Sequence, residues 1–163
     1  MVPQRLDRVL HAYRIGDPDG LYPIFDASGS KLFHGCWHSA GTAILYASEH
    51  YSTAMLERLV HGSGRLPPNQ HFITITIPDH TSYEVVTPDR LPGWNAMSGA
   101  QSRSFGDRWL EEQRSAILIV PSVVARMERN ILINPDHPGA GSITHDLHTP
   151  VWWDRRLFEP RGG

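Results

Sequence analysis

The fold class predicted for this 163-residue chain is α+β in a single domain, and three observations predict it. Period-two alternation and short helical patterns are mixed along the chain without a regular strand–helix–strand cadence, which argues against a doubly wound parallel sheet. The length suits one domain able to bury a core without staples, and the lone cysteine, Cys36, leaves no internal disulfide framework. Neither GxGxxG nor a Walker-type loop occurs, so the familiar phosphate cradles of α/β nucleotide folds are missing.

Taken in order, Val9 to Ile15 alternates as a strand, and Gly16 to Ser30 is a loop rich in Gly, Pro, Asp and Ser. Ala43 to Ala47 is a short apolar strand. Ser52 is placed to N-cap a helix carrying Ala54, Met55, Leu56, Leu59 and Val60 and ending at Gly62. His71 to Ile77 alternates threonine with apolar residues up to Pro78 and is the clearest strand. Tyr83 to Val86 is another strand, and Phe105, Trp109 and Leu110 mark a helix between Ser102 and Arg114. Ala116 to Val120 is a buried-strand run closed by Pro121 and Ser122. Ile131 to Ile133 precedes the turn Asn134 to Pro138, and from Gly139 the chain reads as irregular, with Trp152, Trp153, Leu157 and Phe158 docked on the body.

Composition narrows the function classes. With 15 Lys and Arg against 17 Asp and Glu, the net charge is −2, and no basic stripe offers a grip on nucleic acid. Direct DNA binding is therefore expected of a partner rather than of this chain. The start of the sequence lacks the apolar core of a secretory signal, and no apolar run approaches the ~18 residues that span a bilayer. A cytoplasmic address is expected, with no membrane contact. Ten histidines are scattered without an HExxH pair and read as surface and hydrogen-bonding residues, so no metal is expected.

Four polar residues stand where packing alone does not explain them. Arg14 lies in a strand beside Tyr13; it either pairs with a carboxylate at the sheet edge or clamps a pyrophosphate or ribose. Glu57 borders the apolar side of the short helix, as a solvated flank or as a carboxylate facing a cleft, where it would stabilise a glycosidic oxocarbenium. Ser122 ends the buried run, as a strand cap or a site hydroxyl. Tyr46 is either core or a ring on which a nicotinamide stacks.

Their order and neighbours resemble the RES family, named for its Arg, Glu and Ser. The likeness is carried by Tyr13-Arg14-Ile15, Gly35-Cys36-Trp37-His38-Ser39-Ala40-Gly41 and Tyr46-Ala47-Ser48, then by Ala54-Met55-Leu56-Glu57 and Leu91-Pro92-Gly93-Trp94. It continues through Gly106-Asp107-Arg108-Trp109, Val120-Pro121-Ser122, Asn130-Ile131-Leu132-Ile133-Asn134-Pro135-Asp136-His137-Pro138 and Asp154-Arg155-Arg156-Leu157-Phe158. The matching motifs run in register from about residue 9 to 158 of one domain spanning 1–163, with 159–163 as a tail.

The resemblance implies an ADP-ribosyltransferase-like fold, a split mixed β core with flanking helices around an NAD cleft. It implies the toxin of a bacterial toxin–antitoxin pair, inhibited by an Xre-type helix-turn-helix antitoxin. Such a toxin cleaves the nicotinamide–ribose bond of NAD by hydrolysis or phosphorolysis, or transfers ADP-ribose to a target protein; NAD is a consumed substrate and no cofactor is required. Position by position, Arg14, Glu57 and Ser122 match the catalytic triplet, while Arg14, Tyr46, Trp37, Ser122 and the residue at position 36 match the NAD-binding set. One departure matters: where the family motif reads Gly-Arg-Trp, this chain has Gly35-Cys36-Trp37. Cysteine supplies neither the charge nor the forked donors of arginine. The chain is then an attenuated binding module with little turnover, or another cation such as Lys31 replaces the missing charge.

Overall fold

The computed structural model describes residues 3–63, 65 and 68–159. Nine strands, β1 (Gln4–Arg5), β2 (Leu10–Gly16), β3 (Leu45–Ser48), β4 (His71–Ile77), β5 (Ser82–Val85), β6 (Ile117–Pro121), β7 (Arg129–Ile133), β8 (Thr144–His145) and β9 (Thr149–Pro150), form one hydrogen-bonded sheet. Its order is β1-β5-β6-β7-β3-β2-β4-β8, with β9 also on β4; β5 and β6 run parallel and every other neighbouring pair antiparallel. Two helices, α1 (Tyr51–His61) and α2 (Ala100–Glu111), complete an α+β fold as predicted.

The sheet has a seam. β2 and β4 are in register over seven residue pairs, and β3 and β7 over four, but β2 meets β3 only at Tyr13↔Ser48. Two well-paired sections thus part along β2 and β3, which is the split that the resemblance implies. Alternation along the strands sorts the core onto the two faces. Leu45, Ala47, Ile117, Ile119, Ile131 and Ile133 pack in one cluster with Ala12, Ile73, Ile75 and Ile77. Leu118, Val120 and Leu132 pack in the other with Ile44, Trp37, Trp94 and Trp109.

Several boundaries differ from expectation for physical reasons. Helix α1 begins at Tyr51 after His50, and no side chain caps it; Ser52 already lies within its first turn. Its end is as read: the Gly62 N–H returns to the carbonyls of Arg58 and Val60. The stretch after Gly139 is more ordered than its composition suggests, because β8 and β9 satisfy their backbones against the free edge of β4. That backbone pairing does not require burial of the tail's aromatic side chains. Trp152 is 77% exposed and Leu157 and Phe158 also lie on the surface, contrary to the docking expected of them, and only Trp153 is half-buried. Residues 160–163 of the tail lie outside the described residues.

Candidate active site

A cleft of about 960 Å³ opens along the seam, bordered by Arg14, Cys36, Tyr46, Glu57, Arg58 and Arg103. Its volume is at the upper end of the range for small-molecule sites. A second hollow of about 150 Å³ beside Phe25 and His145 touches none of these residues.

Glu57 projects from α1 to the ends of β6 and β7. Its Oε1 accepts hydrogen bonds from Ser122 Oγ and from Asn130 Nδ2, both at 2.8 Å. Each donor is itself fixed. Ser122 is fully buried and its Oγ accepts the Ala125 N–H at 3.0 Å, while Asn130 Oδ1 accepts the Ser48 hydroxyl at 2.8 Å. The register Ser48↔Asn130 brings that last pair together across β3 and β7. Both donors approach one carboxylate oxygen, and among the described residues Oε2 has no hydrogen-bond donor, with the His61 ring 3.8 Å away. Held in this way, the carboxylate has a fixed orientation and one oxygen available to a ligand.

Arg14 sits at the seam. Its Nε donates to the Ile24 carbonyl at 2.6 Å and its Nη1 to the Tyr46 carbonyl at 2.8 Å, so the guanidinium ties β2 to β3 where they diverge. The expected carboxylate partner is replaced by backbone: among the described residues Arg14 makes no ion pair, and its Nη2 has no partner. Burial, then the neighbouring Arg58 charge, lowers its pKa to about 10, with Asp26 acting in the opposite direction. It remains a cation at neutral pH.

Tyr46 is held from behind. His38 Nε2 lies 2.8 Å from the Ser30 carbonyl, which can only accept, so that nitrogen carries the proton. His38 Nδ1 is then the acceptor of the Tyr46 hydroxyl at 2.6 Å, and the same hydroxyl accepts the Trp37 N–H at 3.0 Å. Burial pushes the Tyr46 phenol well above its ordinary value. Although His34 and His38 stand four residues apart, His34 is exposed and both His38 ring nitrogens are engaged. Among the described residues no group of three or more His, Cys, Asp or Glu is arranged to hold a metal. A side chain at Gly35 would put its Cβ 2.6 Å from the Tyr46 hydroxyl and 2.8 Å from the His38 ring, which explains the glycine there.

Trp37 and Cys36 diverge from each other. Trp37 is 3% exposed and packs edge-on against Phe105, so it serves the second core while its segment borders the cleft. Cys36 is exposed to the cleft. Desolvation and the Glu57 charge push its thiol up, with Arg103 opposing them, so it is not an activated nucleophile. Lys31 does not border the cleft; its charge acts on Asp26. The cation beside Cys36 is Arg103, which donates to the Ser98 carbonyl at 2.6 Å.

Of the residues singled out in the sequence, Arg14, Tyr46 and Glu57 line one cleft, whereas Ser122 is fully buried behind it and reaches it only through Glu57. Sequence reasoning assigned no role to Asn130, Ser48, His38, Arg58 or Arg103. Asn130 and Ser48 both stand inside motifs that carry the family resemblance, but only the register between β3 and β7 separates them from their neighbours.

The family model described as the RES domain matches residues 11–154. A "Prs ADP-ribosylating toxin" of Sphingobium sp. (strain YBL2) is 44% identical over 138 residues, covering 80% of this chain and 86% of the relative. A "Toxin Res" of Pseudomonas putida is 34% identical over 142 residues, covering 84% and 94%, respectively. In structure, the chain resembles one from the M. tuberculosis MbcT–MbcA toxin–antitoxin complex, with a TM-score of 0.70, 12% identity, and 90% and 86% coverage, a likeness of fold. By the extent of the family match and the identity of its relatives, this chain belongs to the RES family.

Proposed function

We propose that the chain is the toxin of a toxin–antitoxin pair and that it breaks the nicotinamide–ribose bond of NAD. The observation that carries this reading is the charge layout of one cleft: a fixed carboxylate, Glu57, at one end and the guanidinium groups of Arg14 and Arg58 at the other. NAD has the complementary layout, a cationic pyridinium on ribose followed by an anionic diphosphate. Asn130 on β7 and Arg14 on β2 are two strand spacings apart, roughly 10 Å, a separation suited to ribose at one end and phosphate at the other.

In this reading the C1′–N bond breaks heterolytically. Its electron pair goes to the ring nitrogen, nicotinamide leaves neutral, and positive charge develops on the ribose. Glu57 Oε2 stabilises that charge, while Ser122 and Asn130 hold the carboxylate so that little reorganisation is needed as the charge appears. A water oxygen then bonds to C1′ and releases a proton to solvent, giving ADP-ribose; phosphate in place of water gives ADP-ribose-1″-phosphate. Arg14 grips the phosphate side, Tyr46 offers its ring to the nicotinamide, and Trp37 supports the segment carrying position 36. NAD is consumed and no cofactor takes part.

Transfer of ADP-ribose to a protein side chain is the second reading, favoured by the 44% identical relative, which is named an ADP-ribosylating toxin. An Xre-type antitoxin is the proposed partner, carrying any DNA binding, and the cytoplasm is the proposed site of action. The reading is tested by incubating purified protein with NAD, with and without phosphate, and identifying products. Nicotinamide with ADP-ribose indicates hydrolysis, ADP-ribose-1″-phosphate indicates phosphorolysis, and unchanged NAD contradicts the proposal.

A further inference from the structure

Arg58 follows Glu57 on α1, and one residue of helix turns the side-chain direction by about 100°. The two side chains consequently serve opposite sides of the cleft. Glu57 reaches Ser122 and Asn130 at β6 and β7, whereas Arg58 Nε donates to Gln70 Oε1 at 2.6 Å, immediately before β4. Gln70 is buried and its own amide donates to the Pro68 carbonyl at 3.2 Å, so this acceptor is fixed. The register Gly16↔His71 sets it beside the end of β2, the strand that carries Arg14.

Two half-buried guanidinium groups therefore converge on one wall: burial and then the Arg58 charge lower the pKa of Arg14, and burial lowers that of Arg58. Among the described residues neither makes an ion pair. Asp26 and Asp17 oppose these shifts from nearby, but among the described residues neither closes an ion pair with the arginines, and their Oδ1 atoms are turned to other donors. Asp17 Oδ1 accepts from the Asp19 N–H and from Asn69 Nδ2, and Asp26 Oδ1 accepts from the Ser28 N–H. Like charges gathered in a partly desolvated wall are unfavourable until an anion neutralises them. Arg14 is anchored through Nε and Nη1 and Arg58 through Nε, and among the described residues the Nη2 of Arg14 and both Nη atoms of Arg58 have no hydrogen-bond partner.

We propose that Arg58 is the second arm, with Arg14, of a clamp for the diphosphate of a dinucleotide, selecting NAD over nucleosides that lack the diphosphate. Paired guanidinium forks match the non-bridging oxygens of a diphosphate. The assignment of NAD as substrate rests on the reading above; the clamp itself is tested separately by binding.

The experiment compares parent and Arg58→Gln in two ways: calorimetric binding of ADP-ribose and of inorganic pyrophosphate, and steady-state cleavage of NAD against nicotinamide riboside. Arg58→Gln is expected to weaken ADP-ribose binding at least about tenfold, and to raise KM for NAD more than it lowers kcat. The preference for NAD over nicotinamide riboside in kcat/KM should fall by a similar factor. Parental affinity for ADP-ribose in Arg58→Gln, or equal losses with both substrates, overturns the clamp. So does a parent that binds neither ADP-ribose nor pyrophosphate. A parent that binds ADP-ribose in an Arg58-dependent manner but cleaves neither substrate keeps the clamp and overturns the catalytic reading. Should Arg58→Gln fail to fold, Arg58→Lys keeps the stem and charge without the fork; weaker ADP-ribose binding is again expected, and parental binding overturns the proposal.

Discussion

Ser122 Oγ lies 2.8 Å from Glu57 Oε1 although 65 residues separate them, and Asn130 Nδ2 approaches the same oxygen at the same distance. The serine is fully buried at the end of β6, so its hydroxyl has few alternatives to this carboxylate and the Ala125 N–H. Together the two donors fix the rotamer of Glu57 and engage Oε1 rather than Oε2.

Removing either donor should loosen the carboxylate without removing its charge. Ser122→Ala is expected to lower kcat for NAD by about tenfold and to leave KM within about threefold. It also removes the acceptor of the half-buried Ala125 N–H, a cost of about 1 kcal/mol, or roughly 2–4 °C of Tm. Asn130→Asp places a second carboxylate beside Glu57. Like charges disfavour joint ionisation, so the acid limb of the rate profile should move to higher pH. An unmoved limb contradicts the contact.

The split α+β fold was legible because alternation survives in β2 and β4 and unbroken apolar runs mark β6 and β7, the strands that carry the core. The strands β8 and β9 were not, since two-residue strands on an edge leave no period to detect. In the site, Arg14, Glu57 and Ser122 stood out as polar residues in or beside apolar runs. Asn130 did not, because its role comes from the register Ser48↔Asn130, a relation between distant segments. Arg58 carried no signal of its own in the sequence, because its setting comes from Gln70 and Arg14 on other segments.

Gly106 sits on α2 against the Cys36 segment. A Cβ there would lie 1.7 Å from the Trp37 carbonyl oxygen, a backbone atom that cannot swing aside. Ser39 also bonds Asp107 through its N–H and hydroxyl at 2.7 and 2.5 Å, so α2 and this segment form one unit. Gly106→Ala is expected to cost about 3 kcal/mol, read as a drop of roughly 6–12 °C in Tm. A melt matching the parent contradicts this packing.

Cys36 gives a prediction with a pH sign. Its thiol is raised by desolvation and by Glu57, so the neutral form dominates at pH 7. Alkylation by iodoacetamide should be slower than for free cysteine and should climb only as pH passes the ordinary thiol range. Cys36→Arg should raise NAD consumption at least about tenfold if a guanidinium at this position is what the chain lacks. If Cys36→Arg gains nothing while Arg103→Ala cripples the parent, Arg103 already supplies the charge and attenuation is wrong.

The cleft mouth carries the exposed apolar side chains of Leu21, Val60 and Met97. An antitoxin that covers this rim should form a stable complex and slow access of substrate. Co-expression followed by gel filtration should give a heteromer, and ADP-ribose binding should weaken in it. Specific DNA binding by the isolated chain at physiological salt runs against the assigned division of labour.

The most direct test of the account is nicotinamide release from NAD by Glu57→Gln beside the parent, with ADP-ribose affinity measured on both. Glutamine keeps the size and an acceptor oxygen for Ser122 and Asn130 but removes the negative charge. The account predicts a fall in kcat of about 10²–10³ with ADP-ribose affinity within about threefold of the parent. An active parent matched in rate by Glu57→Gln contradicts the electrostatic role of Glu57 and the proposed mechanism with it.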